Sequence, residues 1–97
     1  MRSWLLKKLK KAVKQMYSVQ IERKAQKKLA KVPIPYYTIL KTAILNLGNN
    51  PRPKGYKRLK GRHAFRIRVN DYRIIYEIQD DILIVQVIDL GHRKDIY

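Results

Sequence analysis

From residue 16 onward the hydrophobic positions switch between two periods. Tyr17, Val19 and Ile21 alternate with Ser18 and Gln20, which predicts a first strand. Across Arg23 to Val32, Ala25, Leu29 and Val32 fall on one helical face and Lys24, Lys27, Lys28 and Lys31 on the other. Pro33 and Pro35 break that helix. A second helix is predicted from near Pro35, whose ring suits a first helical turn, through Tyr36, Leu40, Ala43, Ile44 and Leu47 to a stop at Gly48. Residues 49–55 are dense in turn formers and read as a loop. Tyr56 to Leu59 then reads as a short strand and Gly61 to His63 as a turn, followed by longer strands over Ala64 to Val69, Tyr72 to Ile78 and Ile82 to Leu90. Asn70-Asp71 and Asp80-Asp81 are predicted as two-residue hairpin turns. The order β-α-α-β-β-β-β implies an α+β domain: a small antiparallel sheet with an N-terminal helical hairpin packed on one face.

The same alternation sorts the arginines. With Asn70-Asp71 as the turn, Val69 lies opposite Tyr72, Arg68 opposite Arg73, Ile67 opposite Ile74, Arg66 opposite Ile75 and Phe65 opposite Tyr76. Arg66, Arg68 and Arg73 then share the face turned away from the apolar layer. Facing arginines repel across a strand pair at a cost of some tenths to about 1 kcal/mol, so stability does not ask for them. Two readings stand: a solvated polar face, or an anion site in which guanidinium forks converge on phosphate oxygens. The last strand is apolar on both sides, which predicts an interior position. A two-residue turn at Asp80-Asp81 would set Arg73 opposite Ile88. The tail from Gly91 to Tyr97 would then carry an imidazole, a guanidinium and a phenol to the basic face.

Charge strengthens the anion reading. The 97 residues hold 23 Lys and Arg against 7 Asp and Glu, a net +16, while 45% hydrophobic residues exclude a disordered polybasic tail. A field of that size draws in polyanions and makes binding salt dependent. The length suits one small domain. The absence of cysteine removes disulfides, thiolate metal sites and thiol nucleophiles, and fits a reducing compartment. No run approaches the roughly 18 apolar residues of a membrane span. Residues 1–15 carry Arg2, Lys7, Lys8, Lys10, Lys11 and Lys14 with no acid, opposite a stripe of Leu5, Leu6, Leu9, Ala12 and Val13. Three readings of that basic amphipathic extension stay open: a membrane-surface or partner-binding helix, a helix packed on or extending from the domain, or upstream codons before a native start at Met16.

Residues 16–97 resemble the RelE/ParE superfamily of toxins from type II toxin-antitoxin systems, on its RelE side. The likeness rests on the opening MYSVQIERKA, the segment NNPRPKGYKRLKG, the pair FRIRV and DYRIIYEI separated by Asn70, and the ending IDLGHRKDIY. The resemblance implies ribosome-dependent mRNA cleavage that blocks translation in the cytoplasm, without metal or cofactor. An acidic RelB-like antitoxin would be the cognate partner, with ribosome and mRNA as targets. Matched block by block, the family's catalytic roles fall on Arg66, Arg68, Arg73, Arg93 and Tyr97, and Lys54, Lys57, Arg58, Lys60 and Arg62 would add RNA-binding charge. Arg73 and Arg93 would hold the scissile phosphate; Tyr97 would stack on a base or orient the 2'-hydroxyl. The best-known member has lysines where this chain has Arg66 and Arg68, and a guanidinium is a poor proton acceptor. His92 therefore enters as a candidate acid or base. The alternatives within the superfamily are a ParE-like gyrase poison and a catalytically inactive toxin fold.

Overall fold

A computed structural model describes residues 16–92 and residue 94. The extension over residues 1–15 and two assigned site residues, Arg93 and Tyr97, lie outside the described residues. Among the described residues seven elements follow the predicted order: β1 (Ser18–Ile21), α1 (Arg23–Ala30), α2 (Tyr36–Asn46), β2 (Lys57–Arg58), β3 (Phe65–Val69), β4 (Tyr72–Gln79) and β5 (Ile84–His92). They form one five-stranded sheet in the order β1-β5-β4-β3-β2. β2 to β5 are antiparallel neighbours, as expected, but β1 runs parallel to β5, so the sheet is mixed. Side-chain alternation reports which residues face inward and is blind to strand direction. Here the doubly apolar β5 gains a neighbour on each side, which is why it reads as interior.

The helical hairpin covers one face. Ala25 and Leu29 of α1, Leu40 and Ile44 of α2 and the following Leu47 meet Ile67, Ile74, Tyr76, Val85, Val87 and Leu90 of the sheet. Leu40, Ile44 and Leu47 follow the i, i+4, i+7 spacing that puts them on one stripe. Full burial of side chains of this size stabilises by about 1.5–3 kcal/mol each.

The β3–β4 register matches the sequence reading at every pair, from Val69 opposite Tyr72 to Phe65 opposite Tyr76. The next hairpin does not. Gln79 pairs with Ile84, so Asp80 to Leu83 form a four-residue connection in place of a two-residue turn. Ile82 and Leu83, read as strand because they are apolar, are instead exposed, with Leu83 at φ 56°. A second irregularity follows: Ile75 pairs with Asp89 but Tyr76 with Val87, leaving Ile88 as the extra residue of a bulge. Without it, strand alternation after Val85 and Val87 would aim Asp89 at the core. The bulge resets the parity, so Leu90 is buried and Asp89 turns outward. Together these shifts place Arg73 opposite Gly91, not Ile88.

The loop between α2 and β2 is tied down at two points. Tyr76 donates its hydroxyl to the Pro51 carbonyl at 2.7 Å. Arg52 pairs with Asp80 at 2.8 Å, stands 6.0 Å over the Phe65 ring, and shares Asp80 with the Tyr17 hydroxyl. The Arg52 and Tyr17 bonds hold the Asp80 carboxyl below its ordinary value. A depressed folded-state pKa means that the unfolded chain binds this proton more tightly. The contribution is complete above the ordinary Asp value of about 3.9 and is lost as pH falls through the lower folded value. Urea unfolding midpoints of the wild type should therefore fall more steeply below pH 4 than those of Asp80→Asn. Equal slopes would remove Asp80 from the acid response.

Candidate functional site

The sheet face opposite the helices carries two cross-strand rows. One reads Lys57, Arg66, Ile75 and Asp89 across β2 to β5; the next reads Arg68, Arg73 and Gly91 across β3 to β5. Neighbouring strands lie about 4.8 Å apart, so the three arginines and Lys57 can converge on a single phosphate-bearing chain. Arg68 is exposed and Arg73 half-buried, while Gly91 leaves the space beside Arg73 without a side chain. Arg66 is only 8% exposed, its stem packed under the face. Its charge lies beside those of Lys57, Arg68 and Arg73 on the same face, a gathering of like charge that folding alone does not require.

A groove borders the face. β2 ends after two residues, so the edge of β3 is uncovered beyond it, and the loop over residues 49–55 leaves the end of α2, where the Asn49 and Asn50 N–H groups donate to the Asn46 carbonyl. Ala43 and Leu47 of the helical side, Pro53 and Gly55 of the loop, and Ile67 of β3 line a largely apolar cavity of about 650 Å3. Lys54 and Arg68 also line it. Arg68 thus belongs to both the groove and the basic face. On α2, the exposed Tyr36 and Ile39 precede Ala43 on the same helical stripe and extend the apolar surface.

The remaining sequence-assigned residues disperse. Lys57 joins the arginine face and Lys54 the groove, whereas Arg58 lies opposite Phe65 with its guanidinium 3.5 Å from His63 Nδ1. Lys60 sits exposed in the turn before β3, and Arg62 lines a cavity with Glu22 and Ile75. His92 falls on the sheet face opposite to the arginines. It lies opposite Tyr72, with ring centroids 5.7 Å apart, on the helix side where Lys28, Lys31 and Val32 line the same hollow. The bulge accounts for this: it places Leu90 and His92 on the inner parity and Gly91 on the outer one.

Sequence reading missed Glu22, Lys24 and Asp89, whose grouping depends on that bulge. Asp89 is bonded to Lys28 at 2.7 Å, to Lys24 at 3.3 Å and to the Leu90 N–H at 2.9 Å. Burial works to raise its pKa, but these three donors outweigh burial and hold the carboxyl below its ordinary value. Among the described residues no group of three or more His, Cys, Asp or Glu side chains could hold a metal ion, and no helix is long and apolar enough to cross a membrane.

Residues 19–97 match the family described as ParE toxin of type II toxin-antitoxin system, parDE. The chain belongs to this toxin family. Its fold is also similar to those of solved RelE toxins. The RelE–RelB complex of Pyrococcus horikoshii matches with a TM-score of 0.72 and 25% identity, covering 81% of this chain and 97% of that one. The RelBE2 toxin-antitoxin complex of Mycobacterium tuberculosis matches with a TM-score of 0.70 and 25% identity over 79% and 98% of the two chains. The RelB–RelE complex of Methanococcus jannaschii matches at 0.65 and 28% identity over 80% and 94%. No curated protein sequence matches. The toxin thus carries the α+β fold of the RelE toxins, and the arginine face lies on the strand pair FRIRV and DYRIIY of that fold.

Proposed function

We propose that this toxin is a ribosome-dependent endoribonuclease that cuts mRNA by attack of the 2'-hydroxyl on the adjacent phosphate and so blocks translation in the cytoplasm. The observation that carries this reading is the face shared by Arg66, Arg68 and Arg73 across β3 and β4. RNA supplies its own nucleophile. The 2'-oxygen bonds to phosphorus, the bond from phosphorus to the 5'-oxygen breaks, the 2'-hydroxyl proton leaves and a proton reaches the departing oxygen. The products are a 2',3'-cyclic phosphate and a 5'-hydroxyl. Arginines cannot accept the proton at neutral pH, so their part is to align the phosphate and offset charge building on its oxygens. Arg73 and Arg68 hold the scissile phosphate, and Arg66 supplies charge from beneath. Arg93 and Tyr97 keep the roles the resemblance assigns them.

An acidic antitoxin is the proposed partner, seated with an apolar segment in the groove between α2 and β3. Because Arg68 lines that groove, an occupant there would cover part of the basic face, which is how binding would neutralise the toxin. Charge opposite to the toxin's +16 would speed the encounter.

Induced expression should halt protein synthesis within minutes, with new 5'-hydroxyl ends in ribosome-bound mRNA and chromosomal DNA intact. Arrest accompanied by DNA breaks and whole mRNA would move the protein to the gyrase-poisoning alternative that the family match favours. Neither lesion would leave the inactive fold.

A further inference from the structure

Beside the arginines, the outer face of the sheet is indented by a cavity of about 260 Å3. Ile75, at 4% exposure, lines it with Leu59 and Ile88 as apolar surface, and Glu22, Lys24, Arg62 and Asp89 stand around it, Lys24 paired with Asp89. Ile75 is the direct cross-strand neighbour of Arg66, and Arg73 lies two residues along the same strand on the same face. At about 3.4 Å per residue that separation is roughly 7 Å, so a nucleotide whose phosphate meets the arginines can set a neighbouring base over Ile75.

We propose that this cavity receives a base of the bound RNA strand and that Glu22 and Arg62 make it selective for guanine, a refinement that rests on the ribonuclease reading. Walls of both signs suit no phosphate, whereas an apolar floor with a polar rim suits a planar base. Asp89 is occupied by two lysines and a backbone N–H. Glu22 is not. It stands at the N-cap of α1 without using its side chain as a cap, and accepts a single bond, from Gln86 Nε2 to Oε2 at 3.3 Å. Its Oε1, like the Arg62 guanidinium, has no partner among the described residues.

A carboxylate only accepts hydrogen bonds. Guanine is the base with two adjacent donors, N1–H and the N2 amine, to meet both carboxylate oxygens. Adenine and cytosine set a ring-nitrogen lone pair beside their amine, and uracil sets carbonyls on both sides of its single N–H. The O6 and N7 acceptors of guanine match an arginine fork.

The test titrates the full chain with the four ribonucleoside 5'-monophosphates and reads the methyl resonances of Ile75 and Ile88. GMP should bind about tenfold more tightly than AMP, CMP or UMP, the factor expected for about 1.4 kcal/mol of selective hydrogen bonding. Glu22→Gln and, on the opposite side, Arg62→Ala should bring GMP to the level of the others. If Glu22→Gln tightened all four together with their ratio unchanged, the carboxylate would act only through its charge and the proposal would fall. It would fall equally if GMP left both isoleucines unmoved. Mapping of cut ends in mRNA separates this from the ribonuclease reading. Absence of cuts with GMP selectivity intact would sink the nuclease and spare the pocket; cuts without guanine preference and no GMP selectivity would do the reverse.

Discussion

Arg68→Ala combined with Arg73→Ala should abolish translation arrest while the domain stays folded. The two side chains face one another across β3 and β4, where like charges oppose stability by some tenths to about 1 kcal/mol. Their removal should therefore shift the urea midpoint little, keeping the change within about 1 kcal/mol. Loss of one well-placed donor to developing negative charge costs a catalyst about 10²–10³-fold in rate. Two donors serving one phosphate act as a unit, so the double variant should lose at least as much as the worse single variant without the losses multiplying. The decisive comparison is between the two readouts. A solvated polar face predicts stability unchanged and toxicity unchanged; an anion site predicts stability unchanged and toxicity gone. A double variant that still arrests translation would take the chemistry away from this face. Arg66 needs a different substitution, because its stem is buried. Arg66→Met retains packing volume while removing the charge.

The β3–β4 pairing could be read from the chain because a two-residue turn and strict alternation leave a single register, and a slip of one residue would have exposed Ile67, Ile74 and Tyr76 together. The helices were legible for a similar reason: Ala25 and Leu29 sit among lysines and Gln26, and Leu40, Ile44 and Leu47 keep helical spacing between Pro35 and Gly48, although the exposed Ile39 and Leu45 blur the second stripe. Illegibility begins at Asp80. Ile82 and Leu83 carry the strand signature but lie in an exposed turn, and nothing in their composition distinguishes them from Ile84 and Val85. The bulge at Ile88 is equally silent, since a run apolar on both faces conceals a change of parity. Those two features decide that Gly91 and not Ile88 faces Arg73, that His92 stands with Tyr72, and that Asp89 joins Glu22 beside Ile75. Charge could be counted but not located. The basic run Lys54, Lys57, Arg58, Lys60 and Arg62 reads as one patch and is distributed among the groove, the sheet face, the turn before β3 and the cavity.

Tyr76→Ala should leave little folded protein, whereas Tyr76→Phe should fold with a measurable loss. Tyr76 is the largest of the fully buried side chains among the described residues and sits on β4, with β3 on one side and β5 on the other. Its ring lies 6.0 Å from that of Phe65, which in turn meets Tyr56 at 5.7 Å, so one aromatic row joins the sheet core to the segment entering β2. Truncation to alanine opens a cavity of aromatic size, at a cost of about 3–5 kcal/mol. It also strands the Pro51 carbonyl, which the Tyr76 hydroxyl satisfies at 2.7 Å, for a further penalty of about 1–3 kcal/mol. Against a total of about 5–15 kcal/mol for a domain, the sum removes a large share and can remove nearly all of it. Phenylalanine keeps the ring and forfeits only the hydrogen bond, so its urea midpoint should correspond to a loss of about 1–3 kcal/mol. Burial pushes the Tyr76 phenol pKa up, so the hydroxyl remains a neutral donor at physiological pH and this loss should not vary between pH 6 and 8. The hydroxyl also holds the loop that walls the groove, and Phe should accordingly weaken antitoxin binding more than it weakens translation arrest. Equal loss of both would mean that Pro51 is anchored for the whole domain and not for the groove.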